Sequence, residues 1–303
     1  MPQLLTAELL ASAYKGFNLT YQNWYGSTPT TWERIASPTQ STTAEEVYPW
    51  LGQNTAFREW IGPRVYQNLQ THGFTIKNRL FENTVSVDKT HLEDDKLGIY
   101  APVFGQLGQD SKKHPDILVW EVAANADKTV CYDGQYLLDT DHPVGNPDGT
   151  TSSVSNYFPG NDPGRPLWML ICTTKVMKPF IYQKRRPYNL VSRARLDDPK
   201  VFDENAFVYG VDGRAAAGVG LWQLVVGSRE PLTLENYGKV KTALQGFRND
   251  KGVPLDLKGD LLVVPNVLEQ SAFGCVTVQR LAGGADNPYY KSAEVLTSAW
   301  LDR

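Results

Sequence analysis

A helical stripe interrupted by prolines constrains this chain more than any other feature. Between residues 91 and 124, Ile99, Val103 and Leu107 fall four apart, and Leu118 and Val122 continue the series. That is the spacing of one face of a helix. Pro102 and Pro115 lie within the span, and proline lacks the amide donor, so each must start a helix or kink one. The spacing therefore predicts a long helix with one or two bends over 91–124. Glu93, Asp94 and Asp95 crowd its predicted N-terminal end, where the helix dipole favours negative charge.

The flanking segments are of other kinds. Leu5, Leu9, Ala13 and Phe17 also fall four apart, predicting a short amphipathic helix over 4–17. Residues 27–43 are crowded with Ser, Thr and Pro and read as an extended arm or linker. Trp24 precedes it and Trp32 lies within it, so the arm is expected to lie on a surface, its own or a partner's. Trp50, Phe57, Trp60 and Tyr66 then alternate with Arg58 and Arg64. The runs 74–77 and 81–87 alternate as strands do, so 50–88 reads as an extended β-rich excursion.

Four Gly and five Pro within 139–166 predict a long surface loop, a length that tends to be functional. Short strands are expected at 167–172, 179–183, 190–194, 207–209 and 221–226. Thr233 is placed to cap a helix over 233–247, where Leu234, Tyr237, Val240, Leu244 and Phe247 keep helical spacing. A strand at 261–264, a helix at 266–273 and a final strand at 293–301 complete an α+β chain with a mixed sheet and no internal repeat.

Composition narrows the function. Of 303 residues, 41% are hydrophobic and 21% charged, enough to bury a core. The formal net charge of −3 gives no basic field for salt-dependent duplex binding. The longest mostly apolar run without charge, Ala215 to Gly227, is shorter than the roughly 20 residues that span a bilayer. No signal-peptide pattern opens the chain, which reads as soluble and made in the cytoplasm. Cys131, Cys172 and Cys275 are scattered and read as buried structural thiols.

Candidate chemistry is sparse. Asp139, Asp141 and His142 are of metal-ligating type, but no second cluster completes a site, and Pro143 favours a turn held by Asx hydrogen bonds. Glu93, Asp94 and Asp95 read as dipole complementation in preference to an acid/base pair. No nucleophile elbow, P-loop or dinucleotide-binding turn is present. Lys184, Arg185 and Arg186, bounded by Tyr182 and Tyr188, have two readings. One is phosphate contact with aromatic support; the favoured one is an edge-strand cluster pairing with carboxylates, including those of a neighbouring subunit.

Several runs carry a specific resemblance. YPWLG at 48–52, REWIGPR at 58–64, GIYAP at 98–102, YDGQ at 132–135, DTDHP at 139–143, KPFIYQKRR at 178–186, the stretch from Tyr209 to Leu224, and LLVVP at 261–265 with Leu268 and Glu269 resemble the major head subunit of Mu-like phages. The resemblance covers about 48–272 in order. It implies the tailed-phage major capsid fold, shared with the herpesvirus capsid floor and encapsulins. The expected parts are an N-terminal arm at 1–47, an extended β-hairpin loop at 48–88, and a peripheral domain at 89–229 with a spine helix near 91–124. An axial domain with a return strand at 230–303 follows.

The implied function is a non-enzymatic major capsid protein that self-assembles into hexamers and pentamers. These would form an icosahedral head enclosing double-stranded DNA without sequence-specific binding. Portal and scaffolding proteins are implied partners, decoration proteins possible ones; no cofactor, metal or membrane is implied. The location is the virion, after assembly in the host cytoplasm. Trp50, Arg58, Trp60, Arg64, Arg185 and Arg186 are the expected assembly contacts, since Trp, Tyr and Arg dominate interface hot spots. An encapsulin-like compartment and a metal-dependent enzyme at Asp139, Asp141 and His142 are the alternatives.

Overall fold

The computed structural model describes residues 5–48, 74–94, 97–146, 148, 150–249 and 252–302. Helix α1 (Ala7–Ser27) opens where the Thr6 hydroxyl accepts from the Leu9 amide at 3.2 Å, a standard N-cap. It runs ten residues past the predicted end because its buried stripe of Leu10, Ala13 and Phe17 continues to Tyr21. The predicted linker is built into the fold instead. It holds the single turn α2 (Trp32–Ile35) and strand β1 (Ala36–Gln40), with Ile35 and Ala36 fully buried. Trp32 is buried against Tyr182 at 4.6 Å, so the surface it covers belongs to its own chain.

Strand β2 (Glu45–Val47) pairs antiparallel with β3 (Thr75–Lys77), and the two enclose residues 49–73, which lie outside the described residues. Strand β4 (Arg79–Asp88) does not turn back on β3; it pairs antiparallel with a later strand in the main sheet. Next come α3 (Lys89–Glu93), a 3-10 turn at Leu97–Tyr100 and the long helix α4 (Ala101–Ala124). The predicted 91–124 helix is therefore two helices. Pro102 stands in the first turn of α4, where its missing donor costs nothing. Glu93 and Asp94 close α3, so they do not complement the start of α4.

Residues 139–166 are not one irregular loop. β5 (His142–Gly145) and β6 (Thr151–Val154) form a hairpin, and the short β7 (Tyr157–Phe158) follows. The later strands are fewer than predicted, and two of them are much longer. After β8 (Trp168–Ile171), the two expected strands at 179–194 are one, β9 (Phe180–Arg193). Helix α5 (Pro199–Glu204) leads into β10 (Ala206–Val219). A register shift between β9 and β10 around Arg186 and Arg214 lets Pro187 pass through without breaking the ladder, as bulges do. The chain ends with β11 (Val225–Ser228), α6 (Leu234–Gly246), β12 (Leu261–Val264), α7 (Glu269–Val276) and β13 (Glu294–Thr297). Thr233 caps α6 as predicted, its hydroxyl accepting from the Asn236 amide.

Two sheets result. One has strand order β1-β9-β10-β4 and the other β13-β12-β8-β11-β7, so the second draws strands from both sides of residue 230. Pro38 lies in β1, an edge strand, where a missing donor leaves no ladder bond unmade. β8, β11 and β12 are buried throughout, hence the unbroken apolar runs of β8 and β12; β11 ends in the buried Ser228.

Helix α4 belongs to both cores. Its Phe104 and Leu107 pack with α1 and the first sheet, Phe17 stacking on Phe104 at 4.1 Å. Its Leu118, Val119 and Trp120 sit in the core of the second sheet. Just past Pro115, the Asp116 carboxylate accepts from the Thr31 amide at 2.9 Å and the Trp32 amide at 2.7 Å. Trp120 donates its indole N–H to the Thr31 hydroxyl at 2.9 Å. The polar half-turn of α4 thus holds the start of α2 against both cores.

Candidate assembly surface

Of the expected assembly contacts, Trp50, Arg58, Trp60 and Arg64 lie outside the described residues. What is described is the stem from which their segment departs. At its centre the fully buried Gln183 of β9 accepts from the Tyr48 hydroxyl at 2.7 Å. Its amide nitrogen donates to the Ile76 carbonyl at 3.1 Å and the Asn78 side-chain oxygen at 2.8 Å. Asn78 in turn donates to the Ser41 hydroxyl and the Thr43 carbonyl. Burial pushes the Tyr48 phenol up to about 12, so it is a hydrogen-bond donor at every working pH. Buried polar groups stay buried only when paired, and this chain of partners ties both stem strands to the main sheet. Sequence reasoning missed Gln183, which reads locally as one more polar residue before a basic cluster.

Beside the stem, the Glu46 carboxylate accepts from the Thr42 amide at 2.6 Å, the Thr43 amide at 3.0 Å and the Ser41 hydroxyl at 3.0 Å. These bonds, the Thr42 amide foremost, hold its pKa down to about 2 from an ordinary 4.5. A depressed carboxylate stabilises the fold above its unfolded value and stops doing so as pH falls through the folded one. Amide hydrogen exchange at Thr42 and Thr43 should therefore stay slow at pH 5–7 and accelerate between about 4.5 and 2. Glu46→Gln should show faster exchange already at neutral pH. A wild-type exchange profile identical to the variant's, once corrected for intrinsic rates, would refute this.

Arg185 and Arg186 lie on β9 beyond the reach of β1, whose pairing stops at Lys184. Arg186 forms an ion pair with Asp212 across the sheet, on its exposed outer face. Arg185 is half-buried at the register shift. Leu80 and Val191 are also well exposed, on β4 and β9.

The metal-type residues separate. His142 is fully buried, its Nδ1 2.7 Å from Asp133 Oδ2 and its Nε2 3.2 Å from Asn156 Oδ1, so both ring nitrogens are engaged. Asp139 instead accepts from the amides of Tyr136 and Thr140, three residues before it and one after, so neither bond is the two-residue Asx turn expected beside Pro143. Among the described residues, no three His, Cys, Asp or Glu side chains converge as a metal site requires. No described helix is long and apolar enough to cross a membrane. The three cysteines are buried free thiols.

Comparison with known proteins gives this architecture its class. It superposes on a subunit of the procapsid of bacteriophage JBD30 with a TM-score of 0.88 and 41% identity, covering 98% of this chain and 100% of that one. The JBD30 capsid decorated with minor capsid protein trimers matches with a TM-score of 0.76 and 32% identity, covering 91% and 92%. The fold is thus that of tailed-phage capsid proteins, and its relatives are structural shell proteins. The major capsid protein of Escherichia phage Mu is 36% identical over 285 residues, 93% of each chain. Residues 10–301 match the family described as Mu-like prophage major head subunit gpT, and the chain belongs to that family: it is a major capsid protein, a component of the phage head.

Proposed function

We propose that copies of this chain associate as hexamers and pentamers that close into an icosahedral shell around packaged double-stranded DNA. The observation that carries this is the near-complete superposition on a procapsid subunit. Closed shells need repeated heterologous contacts that close only through symmetry. A loop rooted in the core through Gln183 suits that need, because its base is pre-organised before any partner arrives. On this reading Trp50, Arg58, Trp60 and Arg64 contact neighbouring subunits, with Arg185 and Arg186 near the sheet's outer face. The sheet built on β9 and β10 with α4 serves as the peripheral domain, and the five-stranded sheet with α6 and α7 as the axial domain. The chain performs no reaction. Portal and scaffolding proteins act as assembly partners, and decoration is supported by the minor capsid trimers on the JBD30 shell.

Electron microscopy of the purified protein tests this reading: closed shells are expected, and a monomer at all concentrations and salts would refute it. Trp60→Ala tests the contact assignment. Truncating a hot spot costs roughly 2–4 kcal/mol at each interface, so the variant should keep native circular dichroism yet fail to close shells. Loss of fold with an aggregating subunit would instead make Trp60 a core residue, whose removal costs about 3–5 kcal/mol of stability.

A further inference from the structure

We propose that the cleft between α1, α4 and the β1 edge of the first sheet is a docking site for an acidic peptide, an extended segment of another chain that carries a Glu or Asp beside proline or leucine. The cleft has a volume of about 470 Å³ and opens on the surface. That is room for a few residues, within the span of roughly 300–1,000 Å³ typical of small-ligand sites.

Its polar groups are donors that lack acceptors. Tyr182 of β9 lines the cleft and is only 5% exposed, yet its hydroxyl has no hydrogen-bond partner among the described residues. Buried polar groups are paired as a rule, so this phenol stands ready for an incoming acceptor. The Tyr25 hydroxyl of α1 is likewise unpartnered among the described residues. Tyr182 titrates well above an ordinary phenol, first through burial and then through the neighbouring Tyr188 and Tyr25, so the three rings sit together. Lys112 of α4 holds its ammonium 5.5 Å over the Tyr25 ring, and Lys184 of β9 lines the same cleft. Neither ammonium pairs with a carboxylate among the described residues. Glu33, the one acidic residue among the described lining, is exposed at the rim and acts on Lys178. Asp116, just past the lining Pro115, is already engaged by the Thr31 and Trp32 amides. An ammonium only donates and a carboxylate only accepts, and such charge-assisted bonds are the strong ones.

The walls are apolar and stiff. Trp32 packs on Tyr182 with ring centroids 4.6 Å apart, and Pro38, Pro115 and Pro187 complete the lining. Aromatic walls suit an extended, proline-bearing chain, whose preformed backbone loses little entropy on docking. A nucleic-acid backbone fits worse, because duplex binding needs many phosphates neutralised together. This cleft offers two ammonium groups on a chain of net charge −3. The site lies within one subunit and does not depend on how shells close.

The test is lysine acetylation of the purified full chain, followed by mass spectrometry with and without the peptide acetyl-Pro-Leu-Glu-Pro-amide at millimolar concentration. Labelling of Lys112 and Lys184 should slow at least threefold while that of the exposed Lys113 stays unchanged; no selective slowing would overturn the proposal. The same peptide with Gln in place of Glu should protect little, and equal protection would overturn the role given to the carboxylate. Inorganic phosphate protecting as well as the peptide would overturn the peptide as occupant. Tyr182→Phe removes a hydroxyl that bonds nothing in the described fold, so its melting temperature should match the wild type. The peptide concentration giving half protection should nonetheless rise at least threefold, and an unchanged one would overturn the role given to that hydroxyl.

Discussion

Gly108→Ala should destabilise the subunit by about 1–2 kcal/mol net, although alanine is the better helix former. In mid-helix the substitution alone is worth about 0.8–1 kcal/mol of stabilisation. At Gly108, however, an added Cβ would run into the Tyr21 carbonyl oxygen of α1 and lie 3.2 Å from the Tyr25 amide nitrogen. Those are backbone atoms of a packed helix, so no side chain can swing aside. One turn earlier, Gly105 lies under the Trp24 indole, where a Cβ would stand 2.8 Å from two ring atoms.

The two glycines let α1 lie directly on α4. Displacing α1 would open the Phe17–Phe104 stack and draw the Tyr14 hydroxyl from the Leu190 carbonyl, now 2.8 Å away. Overpacking of this kind costs roughly 1–3 kcal/mol or more, which outweighs the propensity gain. Gly16→Ala is the control: its Cβ would meet nothing within 4 Å, so it should stabilise by up to about 1 kcal/mol. Denaturant unfolding of both variants checks the pair, and two changes of the same sign would disprove the close-packing argument.

Gln183→Leu should cost about 3 kcal/mol and lower shell yield more than its fold stability alone would suggest. The substitution keeps the volume roughly constant and adds apolar burial, so packing is nearly neutral. It strands the buried Asn78 side-chain oxygen and takes one partner from the Tyr48 hydroxyl, which also bonds the Thr39 side chain. Each orphaned buried polar group costs about 1–3 kcal/mol. Tyr48→Phe should cost less in the Gln183→Leu background than alone, because its bond to Gln183 is already gone there. The double-mutant cycle should therefore be non-additive. Strict additivity in urea unfolding would show that the two residues do not share the stem's stability.

These residues also mark the boundary between local and long-range information. The α6 helix was legible because its signals act within a few residues: the Thr233 cap and five apolar positions at helical spacing. Strand β12 was legible as an apolar run stopped by Pro265. The family was legible because the quoted runs keep their order along most of the chain. The supposed linker at 27–43 was misread because Ser, Thr and Pro lower local propensity. What makes a strand of Ala36–Gln40 is its parallel pairing with Phe180–Lys184, some 140 positions away in the chain.

Likewise, β9 runs through its polar middle because β10 supplies the ladder and a register shift absorbs Pro187. His142 was grouped with its sequence neighbours Asp139 and Asp141, yet its partners in the fold are Asp133 and Asn156. Gly105 and Gly108 carry no sign in sequence of the helix that lies on them. Caps, spacing and proline placement depend on covalent neighbours and can be read from residues alone. Strand pairing, buried polar partners and helix contacts depend on which distant segments meet, and only the folded chain brings them within 3 Å of one another.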